Sequence, residues 1–168
     1  MQQLSRKNYN AVKRPIRIVQ FGEGNFLRAF VDNFIQILND RELINMNVAV
    51  VQPLPLGRID AMTDQDGLYT LFLEGIQNGQ VIKQHRVIDV ISQLVDPHKD
   101  LVSFLSLARS AELQIVFSNT TEAGISFEAE PITFDVLPQS FPGKLLQFLY
   151  ARYVAFLGDP AVGLEIIP

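Results

Sequence analysis

Ile16-Arg17-Ile18-Val19-Gln20-Phe21-Gly22-Glu23-Gly24-Asn25-Phe26-Leu27-Arg28 is the stretch that decides the fold. Its first six residues, rich in β-branched and aromatic types, predict a strand that stops at Gly22. Beyond Gly24 the period changes to that of a helix. Phe26, Phe30 and Phe34 form one column, and Leu27, Val31, Ile35 and Leu38 form the next. Asn25, Arg28, Asp32, Gln36 and Asn39 fall on the remaining face, so the phenylalanines are expected to face a sheet and the polar residues water. A Gly-x-Gly between a strand and a helix has a physical use. The first glycine makes a tight turn, the second lets backbone approach a pyrophosphate, and the helix N-terminus presents N–H groups and partial positive charge to that anion. Asn25 is placed to cap the helix. Arg28 opposes the dipole in the first turn, a penalty that a bound phosphate or carboxylate reverses.

The same turn also reads as an ordinary structural bend. Leu27 stands where the full G-x-G-x-x-G pattern has its third glycine, and Gln52 stands where an acidic residue usually meets the ribose. Residues alone leave nucleotide binding and a plain turn both open.

Working outward, Val48-Ala49-Val50-Val51 predicts a second buried strand ending at Gln52-Pro53, with a short helix between Leu56 and Gln65. Two alternating runs, Leu68 to Glu74 and Gln80 to Val90, flank Asn78-Gly79, a strong hairpin signal. Pro97 to Ser110 has helical spacing, Leu113 to Phe117 predicts a third buried strand, and residues 125–140 read as loop. Ser140-Phe141-Pro142 opens a helix expected to turn Leu145, Leu149, Tyr153 and Phe156 inward, and Gly163 to Pro168 reads as a last strand. Strands alternating with helices predict an α/β fold: a mostly parallel sheet with flanking helices and an inserted antiparallel hairpin at about residues 67–92. Residues 1–14 read as a flexible leader to a single domain over 15–168. A chain that stops on a strand reads as part of something longer.

Composition removes several classes. The 168 residues are 48% hydrophobic and 19% charged, enough for a core and too apolar for disorder. With 18 acidic against 14 basic residues the formal charge is -4, which argues against a nucleic-acid partner. No apolar run reaches membrane-spanning length and no export signal precedes the domain, so neither membrane association nor secretion is expected and the cytoplasm is the default compartment. Zero cysteines exclude disulfides and thiol chemistry.

Gln20-Phe21-Gly22-Glu23-Gly24-Asn25-Phe26-Leu27-Arg28-Ala29-Phe30-Val31-Asp32 resembles the N-terminal signature of the mannitol dehydrogenase family of polyol and sugar-acid dehydrogenases. The likeness continues through Asp66-Gly67-Leu68-Tyr69-Thr70, Arg86-Val87-Ile88-Asp89, Ser118-Asn119-Thr120-Thr121-Glu122-Ala123-Gly124-Ile125, Ser140-Phe141-Pro142 and Lys144-Leu145, in order and over nearly all the chain from residue 15. Other branches usually carry a histidine where this chain has Leu27 or Phe30, which favours the sugar-acid branch that interconverts tagaturonate and altronate. The resemblance implies a Rossmann-type domain binding NAD, a glycine turn without the third glycine, and reversible hydride transfer to a sugar acid. It places Phe21, Gly22, Gly24, Asn25 and Phe26 at the pyrophosphate turn and Gln52 near the adenosine ribose, with Arg58 available to a 2′-phosphate. Ser118, Asn119, Thr120, Thr121 and Glu122 are placed beside the nicotinamide ribose. The family's catalytic lysine belongs to a helical C-terminal domain that no position here matches, so this chain is expected to bind cofactor at best and not to turn over. A polyol or fructuronate enzyme of the family, and a nucleotide-binding module without redox chemistry, remain alternatives.

The other candidates read blandly. His85 and His98 lack a carboxylate at metal-ligand spacing and are expected at the surface or at a helix start. Lys144 is expected to be solvated, and Asp64 and Asp66 form a turn too short for a calcium loop.

Overall fold

The computed structural model describes residues 3–57, 59–120, 122–126 and 128–168, and shows a layered α/β domain. β1 (Ile16–Phe21) leads through the glycine turn to a π-helical turn at Leu27–Val31 and then α1 (Asp32–Asp40). There follow β2 (Asn47–Val51), α2 (Ile59–Thr63), the hairpin β3 (Tyr69–Gln77) and β4 (Gln80–Ile88), and β5 (Ile91–Val95). The chain continues as α3 (Leu101–Ala108), β6 (Ile115–Ser118), α4 (Phe141–Phe156) and β7 (Glu165–Ile167).

Five strands form one parallel sheet in the order β5-β2-β1-β6-β7. From β1 the chain steps outward to β2 and β5, then crosses back to β6 on the other side. The reversal makes a crevice beyond the carboxyl ends of β1 and β6, where open α/β sheets bind ligands. β3 and β4 pair separately as the expected antiparallel hairpin, and Asn78 and Gly79 at its tip have φ of 52° and 74°, the double positive φ of a tight hairpin turn. β5 is a strand the sequence reading runs into the end of the hairpin, because Val90-Ile91 follows Ile88 with only Asp89 between at the junction where antiparallel pairing gives way to parallel.

One face of the sheet, with Val19, Phe21, Ala49, Val51 and Val116, packs against Phe104, Leu105 and Ala108 of α3 and Phe148 and Ala151 of α4. The other, with Ile18, Val48 and Val50, packs against Ile35 of α1, Met62 of α2 and Ile88, Val90 and Ile91 at the base of the hairpin.

Three expectations are corrected. The first helix is rotated from its predicted setting: Leu27, Asp32, Ile35, Gln36 and Asn39 are buried, while Phe26, Phe30 and Phe34 are 55%, 51% and 48% exposed. The π turn explains it. Its longer turn spaces the first two inward residues five apart, at Leu27 and Asp32, so a stripe counted at 3.6 residues lands one column off. Two of the buried polar groups are served by backbone: Gln36 accepts from the Asp89 N–H (2.9 Å), and the Asn39 amide pairs with both backbone groups of Met46 (2.8 and 3.0 Å).

α4 is also rotated. Gly143, Lys144, Gln147, Phe148, Ala151 and Arg152 face inward, whereas Tyr153 is exposed. Lys144 is therefore buried rather than solvated, its ammonium donating to the Gln139 carbonyl, and burial pulls its pKa below the usual lysine range. Arg152 donates to the carbonyls of Val162 (2.7 Å), Ala108 (3.1 Å), Ser110 (2.8 Å) and Leu113 (3.1 Å), tying α4 to the connections around β6 and before β7. Long polar side chains here satisfy loop carbonyls that no ladder reaches.

The leader is not loose. Residues 3–14 form no helix or strand, yet Arg6 donates to the carbonyls of Asp66 (3.0 Å), Asp89 (2.9 Å) and Ile91 (2.6 Å), and Arg14 pairs with the buried Asp89 carboxylate at 3.3 Å.

Candidate functional site

The strand register sets the site. Phe21 stands beside Val51 on one side and Ser118 on the other, and Val51 stands beside Val95. Gly22, Gln52, Asn119 and Asp96 therefore leave the sheet along one rim, and the predicted positions at Gly22, Gly24, Gln52, Ser118 and Asn119 share it.

The glycine turn is open and pinned at its root. The Gly22 N–H donates to the Val51 carbonyl (2.9 Å), extending the β1–β2 ladder by one residue. Gly22 has φ of 113°, a region only glycine enters without strain. A Cβ placed on Gly24 would meet no atom within 4 Å, so the space over the second glycine is clear. The Gly24 carbonyl accepts from Arg28 (3.2 Å) as the helix begins. The helix begins at Asn25 and Phe26, ahead of the π turn, and the Asn25 amide oxygen accepts from the Arg28 guanidinium. Asn25 is thus not the expected cap; Arg28 holds it aside. A helix that begins directly behind an open glycine turn fits a dinucleotide pyrophosphate: backbone N–H groups at close range with room for phosphate oxygens.

The remaining predicted residues are placed less uniformly. The Phe21 side chain is core, with its ring edge-to-face against Phe104, Phe141 and Phe148 (6.0, 5.5 and 5.8 Å), so only its backbone reaches the rim. Phe26 stands exposed and stacked on Phe30 at 5.3 Å, and Phe30 meets Phe34 at 4.6 Å, forming an aromatic column on the outside of the helix. Gln52 lies at the end of β2 as expected, but it is buried and its side-chain oxygen accepts from the Ile59 N–H (3.2 Å) at the start of α2. Gly57 packs on it so closely that a Cβ there would overlap the Gln52 amide. Ser118 and Thr120 are half-buried and Asn119 is exposed. The backbone of Glu122 begins a 3-10 turn over Glu122–Ile125. Arg58 and Thr121 lie outside the described residues.

Sequence reasoning missed a buried polar cluster under the turn. Gln20 is wholly buried and donates from Nε2 to the Gly22 carbonyl (3.0 Å). Asp32 is wholly buried, with Oδ2 3.3 Å from the Tyr69 hydroxyl, and that hydroxyl lies 2.6 Å from the Arg28 carbonyl. Burial pushes the Asp32 carboxyl up to about 7, against the lowering influence of Tyr69, Gln20 and Arg28. Burial, then the Asp32 charge, push the Tyr69 phenol well above its ordinary value. Residue type gave no signal for it, since Asp32 falls among the polar positions of the helix on the face expected to meet water.

The histidines stay in background roles: His85 is exposed on β4 beside Phe72, and the exposed His98 donates its backbone N–H to Asp96. Among the described residues no group of His, Asp or Glu is placed to hold a metal ion, and no helix is long and apolar enough to cross a membrane.

Strand order, register and the open glycine turn at the point of reversal define a Rossmann-type α/β domain. Residues 16–168 match the mannitol dehydrogenase Rossmann domain, and the chain belongs to that family. Over its whole length it is 45% identical to an altronate oxidoreductase of Phocaeicola vulgatus and 44% identical to one of Bacillus subtilis, spanning 35% of the length of each. The fold is similar to that of Pseudomonas fluorescens mannitol 2-dehydrogenase, solved as a ternary complex with NAD and D-mannitol. That likeness has a TM-score of 0.74 at 22% identity and covers 98% of this chain and 38% of the other. A D-sorbitol dehydrogenase superimposes with a TM-score of 0.70 at 20% identity, over 92% of this chain and 37% of the other.

Proposed function

We propose that the chain is the cofactor-binding domain of an NAD-dependent oxidoreductase that interconverts D-tagaturonate and D-altronate. The observation that carries the reading is the open glycine turn at the topological switch point, with Gly22 in its glycine-only conformation and clear space over Gly24. Likeness to altronate oxidoreductases along the whole chain supports the substrate pair.

In this reading the backbone at Gly22, Gly24 and Asn25 and the following helix start hold the pyrophosphate. Phe21 contributes backbone only. Gln52 borders the adenosine side, where its amide lacks the charge of a carboxylate and discriminates less sharply against a 2′-phosphate. Ser118, Asn119, Thr120 and Glu122 border the nicotinamide side. When bound, NAD supplies a hydride acceptor and its reduced form a hydride donor. The sugar acid and the residues that move its proton belong to further chain, since the curated relatives are far longer than this domain. The exposed column Phe26, Phe30 and Phe34 runs straight from the turn and supplies an apolar face for that chain to cover.

Titration of the 168-residue chain with NADH and NADPH, read by nicotinamide fluorescence, tests the cofactor. Saturable NADH binding that Gly24→Val abolishes without loss of fold is expected. Binding indifferent to Gly24→Val would sink the site. Tagaturonate-dependent NADH oxidation by the full-length parent tests the activity, and no rate above background would leave a nucleotide-binding module instead.

A further inference from the structure

The hairpin differs between its base and its tip. At the base Ile88 is buried, Tyr69 and Leu71 join the core beneath α1, and Arg86 reaches Asp40 (3.9 Å) and Asn33 (3.3 Å). Toward the tip the strands turn one face to solvent. Register and alternation put Phe72 opposite His85, Glu74 opposite Lys83 and Ile76 opposite Val81, all on the side away from Tyr69, Leu71 and Arg86. Phe72, Ile76 and Val81 are 70%, 78% and 74% exposed, each more than any phenylalanine of the column on the first helix. The rings of Phe72 and His85 lie 6.0 Å apart, and Lys83 pairs with Glu74 at 3.7 Å. A two-stranded hairpin is marginally stable alone, so large apolar side chains held in water at its tip carry a cost that a partner offsets.

The order of the pairs along this face makes it complementary to itself. A two-fold axis parallel to the strands lays β3 of one copy over β4 of the other. Glu74 then meets Lys83, Ile76 meets Val81 and Phe72 meets His85, twice each. An axis across the strands would stack Glu74 on Glu74 and Lys83 on Lys83, which like-charge repulsion opposes. We propose that two copies of the protein associate through this face, β3 over β4, with the Glu74 and Lys83 pairs fixing the register and the flanking apolar side chains supplying the burial. The inference is independent of the cofactor reading. Two nine-residue strands present a face of about 30 by 10 Å, roughly 600 Å² over both copies. An interface of that size is weak, with a dissociation constant on the order of 0.1 mM.

The full-length parent is the protein to test, because the Phe26 column of the isolated chain offers a second apolar face. Sedimentation equilibrium from about 5 μM to about 0.5 mM should show monomer passing reversibly to dimer. Glu74→Lys gathers four lysines at the contact and Lys83→Glu four glutamates, so each alone should weaken association at least about tenfold. Each also breaks the ion pair inside its own hairpin, and mixing separates the two effects. An equimolar mixture of the two variants sets lysines against glutamates and should recover wild-type association, although neither hairpin has regained its own pair. Ile76→Ser should weaken the dimer about tenfold through lost burial. A parent that stays monomeric throughout, a dimer indifferent to both charge variants, or a mixture that stays monomeric overturns the assignment. If the 168-residue chain dimerises through these residues and the parent does not, the face belongs to further chain of the same protein and the proposal fails. Should either charge variant fail to fold, Ile76→Ser and Phe72→Ser with unchanged urea midpoints still decide.

Discussion

On the face covered by α3 and α4, the rings of Phe21, Phe104 and Phe148 meet at 5.4 to 6.0 Å against the sheet, and the polar side chains that α4 buries, Lys144, Gln147 and Arg152, reach past them to backbone carbonyls of the connecting segments. On the face covered by α1, Ile35 shares the interface with Asp32, Gln36 and Asn39, while three phenylalanines of the same helix stand in solvent. The first face is a packing solution. The second gives up apolar burial, worth about 1.5–3 kcal/mol for a large side chain, to keep a polar cluster under the glycine turn. That exchange makes sense where the helix start has to be held in one orientation toward a ligand.

Four measurements of unfolding would break or sharpen this contrast. Phe148→Ala, on the first face, should cost about 3–5 kcal/mol in urea denaturation, because the packed rings around it cannot collapse into the cavity. A loss below about 1 kcal/mol would mean that face is not close-packed.

The second concerns pH. Burial raises the native Asp32 carboxyl to about 7, whereas the unfolded chain releases the proton near the ordinary aspartate value of 3.8. Between those values the native state binds more protons, so stability is greatest at the acid end and declines as pH rises from about 4 to about 7. The decline from this group is on the order of 3–4 kcal/mol. Asp32→Asn should flatten that slope, and an unchanged slope would show that Asp32 is not its source.

Gly22→Ala comes third. Its φ of 113° should cost about 1–2 kcal/mol, whereas Gly24→Ala should leave the unfolding midpoint within about 0.5 kcal/mol of wild type. Equal losses would contradict the open space over the second glycine. The smallest effect is expected for Phe30→Ser, less than about 1 kcal/mol, since half of that ring already faces water. The same substitution should reduce any self-association seen by sedimentation at high concentration, and a core-sized loss of stability would place the ring inside instead.

These contrasts also explain what was legible in the sequence. β1, the glycine turn and the Asn78-Gly79 hairpin could be read because each depends on local chemistry: β-branched spacing and backbone conformations only certain residues enter. The inner face of the first helix could not, because one π turn shifts the count by a residue and periodicity assumes a uniform helix. β5 was hidden for a different reason. An apolar run says that a segment is buried but not which partner it pairs with, and Val90-Ile91 passes directly from hairpin to sheet. Lys144 and Arg152 escaped because their partners are backbone carbonyls, Gln139 just ahead of α4 for the lysine and the distant Ala108 and Ser110 for the arginine, which leave no mark in residue type. In the candidate site, the rim positions at Gly22, Gly24 and Ser118 followed from fold logic. The use of Gln52 as a cap for α2 depended on the path of the loop after Pro53.

The Arg6 clamp has a practical corollary for anyone producing this domain. Its guanidinium bonds the Asp66, Asp89 and Ile91 carbonyls where the hairpin hands over to β5, so an affinity tag or fusion partner can be joined ahead of Gln3 without touching that fastening. Trimming the leader past Arg6 would unhook it and expose the handover to proteases.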